Sequence, residues 1–359
     1  MKRIIAHLDM DAFFAAIEER DHPRLRRLPI VVGADPKEGK GRGVVSTANY
    51  KAREYGILSA LPISTAWRFS QKAKREGKPE AVFLPVDFHR YGEVSDRIME
   101  IIREYSSHVE QSSIDEAYLD LSFVKTYPKA RAIAQKIKNE IRKKEKLTAS
   151  IGIGSNKLIA KIASDFKKPD GLTVINEKEI EKLLAPLSVR KIPGIGPKAE
   201  QILAKISVKT IRNLRKLPRA KIHDLFGKWG NEMYERARGH DESPIEEEWE
   251  TKSIGEQETF NQDTLNSSFV IGKLEKICKS VLKNLPREGF QKFRTVVVTI
   301  RFSDFETKSR SHTLAEPTNS LSKLKFEAIK LLMPFLDHRE NPRRKLIRLV
   351  GVRVEKLEH

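Results

Sequence analysis

The stretch from Val109 to Ser122 constrains this chain most. Two adjacent acids, Asp115 and Glu116, sit inside a segment that otherwise reads as buried strand. Apolar residues flank them on both sides, and the run closes with Tyr118, Leu119, Asp120 and Leu121 in alternation. That pattern places the acids at the turn of a β-hairpin. Burying both carboxylates without a partner would cost several kcal/mol, which a divalent cation offsets. A third carboxylate lies far upstream: the apolar run Ile4 to Leu8 ends at Asp9. Folding that brings Asp9 to the hairpin turn builds a metal site.

Composition narrows the partner. The 359 residues exceed one ordinary core and suggest two to four domains. Sixty-eight Lys and Arg against 49 Asp and Glu give a formal net charge of +19, which favours a polyanion such as nucleic acid. No apolar run reaches the roughly 20 residues of a spanning helix, and the N-terminal strand is too short for a signal-peptide core. The expectation is a soluble cytoplasmic protein. The one cysteine, Cys278, excludes internal disulfides and Cys-based zinc sites, and its apolar neighbours at helical spacing read as core.

In chain order, Lys2 to Asp9 reads as a strand, Ala12 to Arg20 as a helix, and Pro29 to Gly33 and Val44 to Thr47 as strands. The next helix carries Tyr50 and Arg53 on one face. A helix at Ile98 to Tyr105, the acidic hairpin, an amphipathic helix from Lys129 to Lys146, a strand from Thr148 and a helix at Asn156 to Phe166 follow. This order describes a ferredoxin-like sheet with helices on one face. After a turn at Lys167 to Gly171 the chain reads as helical up to Gly239, and the acid-rich residues 240–252 read as a linker. The last segment has the order of a second βαββαβ domain.

The acids carry the strongest chemistry. Two divalent ions about 4 Å apart need hard oxygen ligands on a rigid platform, which Asp9, Asp115 and Glu116 can supply. Ordinary polar turn residues are the competing account. Tyr50, Arg53 and Lys161 could bind a triphosphate, although each alone suits a solvated helix face. In Pro193-Gly194-Ile195-Gly196, glycines between two helices let the backbone approach a phosphate, with Lys198 on the following helix. Such a contact is sequence-independent. Lys252, Lys292, Arg294, Arg301, Lys308 and Arg310 fit a basic sheet face laid against a duplex, or else a lysine-defended sheet edge.

Four motifs in order, Leu8 to Phe14, Ser46 to Arg53, Ser112 to Asp120 and Ser155 to Ser164, resemble those of the Y-family DNA polymerases, specifically the DNA polymerase IV (DinB) branch. The resemblance implies an α+β multidomain fold. Its parts are a palm at 1–11 and 81–166, fingers at 12–80, a thumb with a helix-hairpin-helix at 167–239, a linker at 240–252 and a DNA-binding little finger at 253–356. It implies that Asp9, Asp115 and Glu116 are the catalytic acids and hold two Mg²⁺ ions with the Met10 carbonyl. Phe13, Phe14, Thr47, Tyr50, Arg53 and Lys161 match nucleotide-binding positions, and Phe14 matches the steric gate against a ribose 2′-hydroxyl. Simple helix core beside Phe13 is the other account of Phe14.

The implied activity is template-directed, low-fidelity DNA synthesis without proofreading, used in translesion synthesis by a monomer on primer-template DNA with dNTPs. The acidic linker is not expected to add to backbone binding. Residues 357–359 look like a vector-derived tail, and the glutamine-and-aromatic peptide by which many relatives engage a sliding clamp is not seen. A non-catalytic DNA-binding scaffold and a nucleotidyl cyclase remain as alternatives. The duplex-binding features weigh against the cyclase.

Overall fold

The computed structural model describes residues 3–248 and 250–359. Met1, Lys2 and Trp249 lie outside the described residues, and with them the start of the strand read from Lys2 and one linker position. The chain forms two compact units. One comprises the chain up to Gly39 together with Val44–Glu248, and the other Lys40–Gly43 together with the chain beyond Glu248.

In the first unit β1 (Ile5–Met10) leads into α1 (Phe13–Asp21). β2 (Ile30–Gly33), β3 (Val45–Ala48), α2 (Tyr50–Glu54), α3 (Ile63–Arg75) and β4 (Val82–Leu84) follow, and the three strands form a small sheet of order β3-β2-β4. Next come α4 (Phe88–Arg103), the hairpin β5 (Val109–Gln111) and β6 (Glu116–Asp120), α5 (Tyr127–Glu145), β7 (Ala149–Gly154), α6 (Lys157–Ser164) and β8 (Leu172–Val174). The main sheet has the order β5-β6-β1-β7-β8. Its first four strands are antiparallel in the expected ferredoxin-like order, and β8 adds in parallel to β7.

Alternation along β1 assigns its two faces. Ile4, Ala6, Leu8 and Met10 join the main core with Ile98, Ile102, Ile137 and Ile141 of α4 and α5. Ile5, His7 and Asp9 turn to the other face, where Ile5 packs with Tyr118 and Ala160 of α6. Helices therefore cover both faces of the sheet rather than one. The reason lies in β7: a Cβ at Gly152 would stand 2.1 Å from the Ala160 carbonyl oxygen and 2.2 Å from the Ser164 nitrogen, so only glycine admits α6 this close.

Beyond β8 lie α7 (Ile180–Leu184), α8 (Pro197–Lys205), α9 (Ile211–Arg215), α10 (Arg219–Phe226) and α11 (Lys228–Ala237). Their core includes Leu158, Ile159 and Ile162, so α6 is buried on two sides, against the sheet and against the helices. Asp241 to Glu247 runs without secondary structure but is docked on this unit. The Leu158 N–H donates to Asp241 Oδ2 (3.0 Å) and the Glu246 N–H to Glu110 Oε2 (2.9 Å), while Ile245 packs on the Tyr118 cluster.

The second unit contains β9 (Ser253–Thr264), α12 (Ser267–Asn284), β10 (Lys292–Phe302), β11 (Thr307–Thr318), α13 (Leu321–Leu336) and β12 (Ile347–Glu358). This is βαββαβ in sequence, but the sheet order β11-β10-β12-β9 differs from that of the first unit. Residues Leu357 and Glu358, read as a tail, pair with Phe293 and Lys292 in the sheet. Cys278 is buried among Leu274, Ile277 and Val281, and burial pushes its thiol up to about 12. Among the described residues, no helix is long and apolar enough to cross a membrane.

Candidate active site

The antiparallel register of β1 and β6 sets Asp9 directly opposite Glu116, and the Met10 N–H donates to the Asp115 carbonyl (3.0 Å). Residues 112–115 form the hairpin turn, where Ser113 Oγ donates to Asp115 Oδ1 (2.6 Å). The three expected acids thus meet at one end of adjacent strands. All three are partly buried, and Asp9 and Glu116 have each drawn a cation. Lys168 Nζ lies 2.6 Å from Asp9 Oδ2, and Lys161 Nζ lies 2.5 Å from Glu116 Oε2.

Electrostatics differ between the opposed carboxyls. Burial pushes Asp9 up to about 7, Lys168 opposes the shift, and Glu116 and Asp115 add to it. Burial also acts on Glu116, but hydrogen bonding from His7 and the Lys161 charge outweigh it and hold that carboxyl below the usual carboxylate range. Among the described residues, no three His, Cys, Asp or Glu side chains are gathered so as to hold a metal ion. The donor chemistry nevertheless suits one. The acids are hard oxygen donors on a rigid sheet, and their crowded negative charge is compensated by two lysine ammoniums where a divalent cation would serve.

Around them lie residues that the sequence pattern did not single out. His7, fully buried opposite Tyr118, places Nδ1 2.9 Å from Ser164 Oγ and Nε2 3.5 Å from Glu116 Oε2. Asp11 is buried and accepts from Ser150 Oγ (2.8 Å) and from the Asp170 N–H (2.8 Å). Lys168 was hidden in a turn. The one available signal was its basic, proline-containing context, which is common in exposed turns.

Asn49 positions α2. Its side chain accepts from the Ala52 and Ile30 N–H groups and donates to the Leu28 carbonyl, tying the helix start to β2. Tyr50 and Arg53 are thereby stacked, with the guanidinium 4.6 Å from the ring centroid, and the Tyr50 hydroxyl points to Asp11 Oδ1 at 3.4 Å. Burial pushes that hydroxyl up to about 12. Thr47 is half-buried in β3. Phe13 is core, and Phe14, 9 % exposed, is stacked on Tyr91 with centroids 4.3 Å apart. Core packing is thus true of Phe14.

Gly194 and Gly196 lie in the turn before α8, and Gly196 is its N-cap. Gly194 has φ +93°, and a Cβ there would meet the Trp229 ring at 2.8 Å. Lys198 is exposed on the first turn of the helix. In the second unit the expected basic sheet face takes another form. Lys308 and Arg310 pair in register with Ile300 and Val298, on the helix-covered side, and both bridge to Glu340 (3.6 and 2.9 Å). The open face carries Thr295, Thr299, Ser309, Thr313 and Gly351 instead, joined by Thr295–Thr313 and Thr299–Ser309 hydroxyl bonds. Arg301 lies on this face and donates to Thr307 Oγ1, Arg294 reaches the Leu314 carbonyl, and Lys252 and Lys292 are exposed.

Comparison with known proteins agrees with this fold. Residues 8–165 match the model of the impB/mucB/samB family, 251–359 that of the same family's C-terminal domain, and 190–241 that of a DNA polymerase-iota thumb domain. DNA polymerase IV 2 of Methanosarcina mazei is 42 % identical over 357 residues, covering 99 % of this chain and 93 % of the relative. A Y-family polymerase chimera of Dbh and Dpo4 is similar in structure with a TM-score of 0.86 at 27 % identity, covering 99 % of both chains. An insertion ternary complex of Dbh DNA polymerase matches at TM-score 0.64, 27 % identity and 99 % of both chains. The scaffold and cyclase readings fall away. The chain belongs to the Y-family DNA polymerases, in the DNA polymerase IV branch, and is a DNA-directed DNA polymerase.

Proposed function

We propose that this polymerase adds dNTPs to a primer 3′-hydroxyl by two-metal-ion phosphoryl transfer, with low fidelity and without proofreading, as a monomer in translesion synthesis. The observation that carries the reading is the register of Asp9 against Glu116, with Asp115 at the adjoining turn. These carboxylates, with the Met10 carbonyl, would hold the two Mg²⁺ ions. When bound, such a pair activates the hydroxyl nucleophile and neutralises charge on the phosphates.

The chain's own groups supply the rest. Lys168 and Lys161 bring ammonium charge to the same strand ends, suited to triphosphate oxygens. Arg53, oriented by stacking on Tyr50, offers a planar fork to phosphate. The Phe14 ring, backed by Tyr91, is a rigid wall against a ribose 2′-hydroxyl. The Gly194 to Lys198 turn and the hydroxyl-rich sheet face, with Lys252, Arg294 and Arg301, would grip the duplex backbone without reading sequence. The similarity to the insertion ternary complex of Dbh DNA polymerase supports primer-template DNA and nucleotide as partners. A sliding clamp remains a candidate partner.

The test is extension of a labelled primer on a DNA template with Mg²⁺ and dNTPs, wild type beside Asp115→Asn. The variant should lose nucleotide addition and keep its affinity for duplex. Retention of more than about a tenth of the wild-type rate, which is under about 1.4 kcal/mol of barrier, would count against a metal role for Asp115.

A further inference from the structure

Lys138 is buried, 4 % exposed, on the sheet-facing side of α5 beside Ala134, Ile137 and Ile141. Its Nζ has three hydrogens and three acceptors: the Ala149 carbonyl (2.7 Å), the Gly171 carbonyl (2.8 Å) and Asp170 Oδ1 (2.9 Å). A buried ammonium held this way is a poor source of stability, because an apolar side chain of similar size often serves as well or better. Its placement asks for another reason.

The same turn is gripped from two further elements. Asp11, just past β1, accepts from the Asp170 N–H through Oδ2 and from Ser150 Oγ through Oδ1, each at 2.8 Å. Ser150, in β7, in turn accepts from the Gly171 N–H at 3.2 Å. The Asp170 and Gly171 N–H groups and the Gly171 carbonyl are thus all bound by side chains of α5, β7 and the end of β1. Gly171 adds a steric lock, since a Cβ there would stand 2.4 Å from the Lys167 carbonyl oxygen. Two residues before this anchored pair, Lys168 reaches Asp9.

We infer that Asp11, Ser150 and Lys138 are positioning residues: a buried polar cradle that fixes the turn Lys168 to Gly171 so that Lys168 is presented to the incoming nucleotide. The inference rests on the polymerase reading above, in which Lys168 meets a phosphate. A lysine is a flexible point charge, so its usefulness depends on where its backbone is held. The cradle supplies that fixed origin from three elements, two of which, β1 and β7, pair at Asp9 itself.

The test is steady-state single-nucleotide addition by Lys138→Met and Ser150→Ala, each alone and combined with Lys168→Ala, with thermal unfolding as a fold control. Each cradle variant should raise KM for dNTP about fivefold or more and change kcat less than about twofold, the pattern of lost nucleotide binding. In the Lys168→Ala background the same substitutions should leave KM unchanged, and Lys138→Arg should restore most of the wild-type value. Ser150→Ala removes a single oxygen and carries the same expectation should Lys138→Met fail to fold. An unmoved KM in a folded cradle variant overturns the inference, as does an equal rise in KM with Lys168 absent. If the wild type itself adds no nucleotide, the polymerase mechanism falls and the cradle with it. An active wild type with indifferent cradle variants refutes the cradle alone.

Discussion

Gly152→Ala should be among the most damaging single-methyl changes this chain can receive. The added Cβ would stand 2.1 Å from the Ala160 carbonyl oxygen and 2.2 Å from the Ser164 nitrogen, where ordinary contact begins near 3.4 Å. Both opposing atoms are helix backbone, so no side chain can rotate away. β7 is held between β1 and β8, which leaves α6 to retreat by about 1 Å from a close-packed interior. α6 is also pressed from behind by the helical core, so the retreat is resisted there too. Overpacking of this kind costs about 3 kcal/mol, and in a unit of this size that is about 6–12 °C in Tm. The displaced helix carries Lys161 and Ser164, so primer extension below the new Tm should fall about tenfold or more. Differential scanning calorimetry and primer extension would be run beside Gly196→Ala, where a Cβ meets nothing within 4 Å and φ is −82°. The control should be nearly silent in Tm. A Gly152→Ala protein that melts and extends primers like wild type would show that α6 is not pinned as described.

Lys157→Met should cost about 3 kcal/mol in urea unfolding, because it leaves the buried Glu110 carboxylate, now 2.6 Å from Lys157 Nζ, without its counter-charge; a change under about 1 kcal/mol would contradict this. Glu145 is held below the ordinary carboxylate range by its hydrogen bond from Arg97, which together with Arg20 overcomes the effect of burial. Its folded pKa lies under its unfolded one, so its contribution is full above the unfolded value of 4.5 and fades as pH falls through the folded value. The stability gap between wild type and Glu145→Gln should therefore shrink from pH 7 to strongly acidic solution, and a constant gap would refute the linkage. Phe14→Ala should admit ribonucleotides, read as a rise in the rNTP-to-dNTP efficiency ratio, and should also cost about 3 kcal/mol of stability from the lost stack on Tyr91. An unchanged ratio would leave Phe14 as core alone.

The sequence made the acidic end of the main sheet legible because burial and charge conflict there. Asp9 and the Asp115-Glu116 pair interrupt apolar strands, and two strand ends that share this defect can be matched from the residues alone. The positions of Lys168, Asp11, Ser150 and Lys138 were not legible, because a lysine in a turn or on an amphipathic helix looks the same whether it is solvated or buried on carbonyls. The helix α4 begins ten residues before the expected Ile98, at Phe88, and its signal was present in Asp87, whose side chain caps the Arg90 N–H. β8 has three residues, too few to show a period. The docked strap from Asp241 to Glu247 looked like a free spacer because its acids find partners through tertiary contacts: Asp241 with the start of α6, Glu247 with His108. In the second unit the expected basic sheet face was not legible at the edge strand β11, where Lys308 and Arg310 lie on the helix-covered side and pair with Glu340 from beyond α13.

The order β11-β10-β12-β9 has a consequence for how the second unit comes into being. β12, the last strand of this unit in sequence, is an interior one and, among the described residues, the sole neighbour of β9, the unit's first. As the chain leaves the ribosome, the β10–β11 hairpin can close at once, whereas β9 must wait, unpaired, through about 80 further residues of synthesis. The unit therefore completes itself in one late step, when the terminal strand slides between two prepared edges. Until then two open strand edges face each other, available to any other extended chain, so a nascent or prematurely terminated copy is the form of this protein most exposed to aggregation.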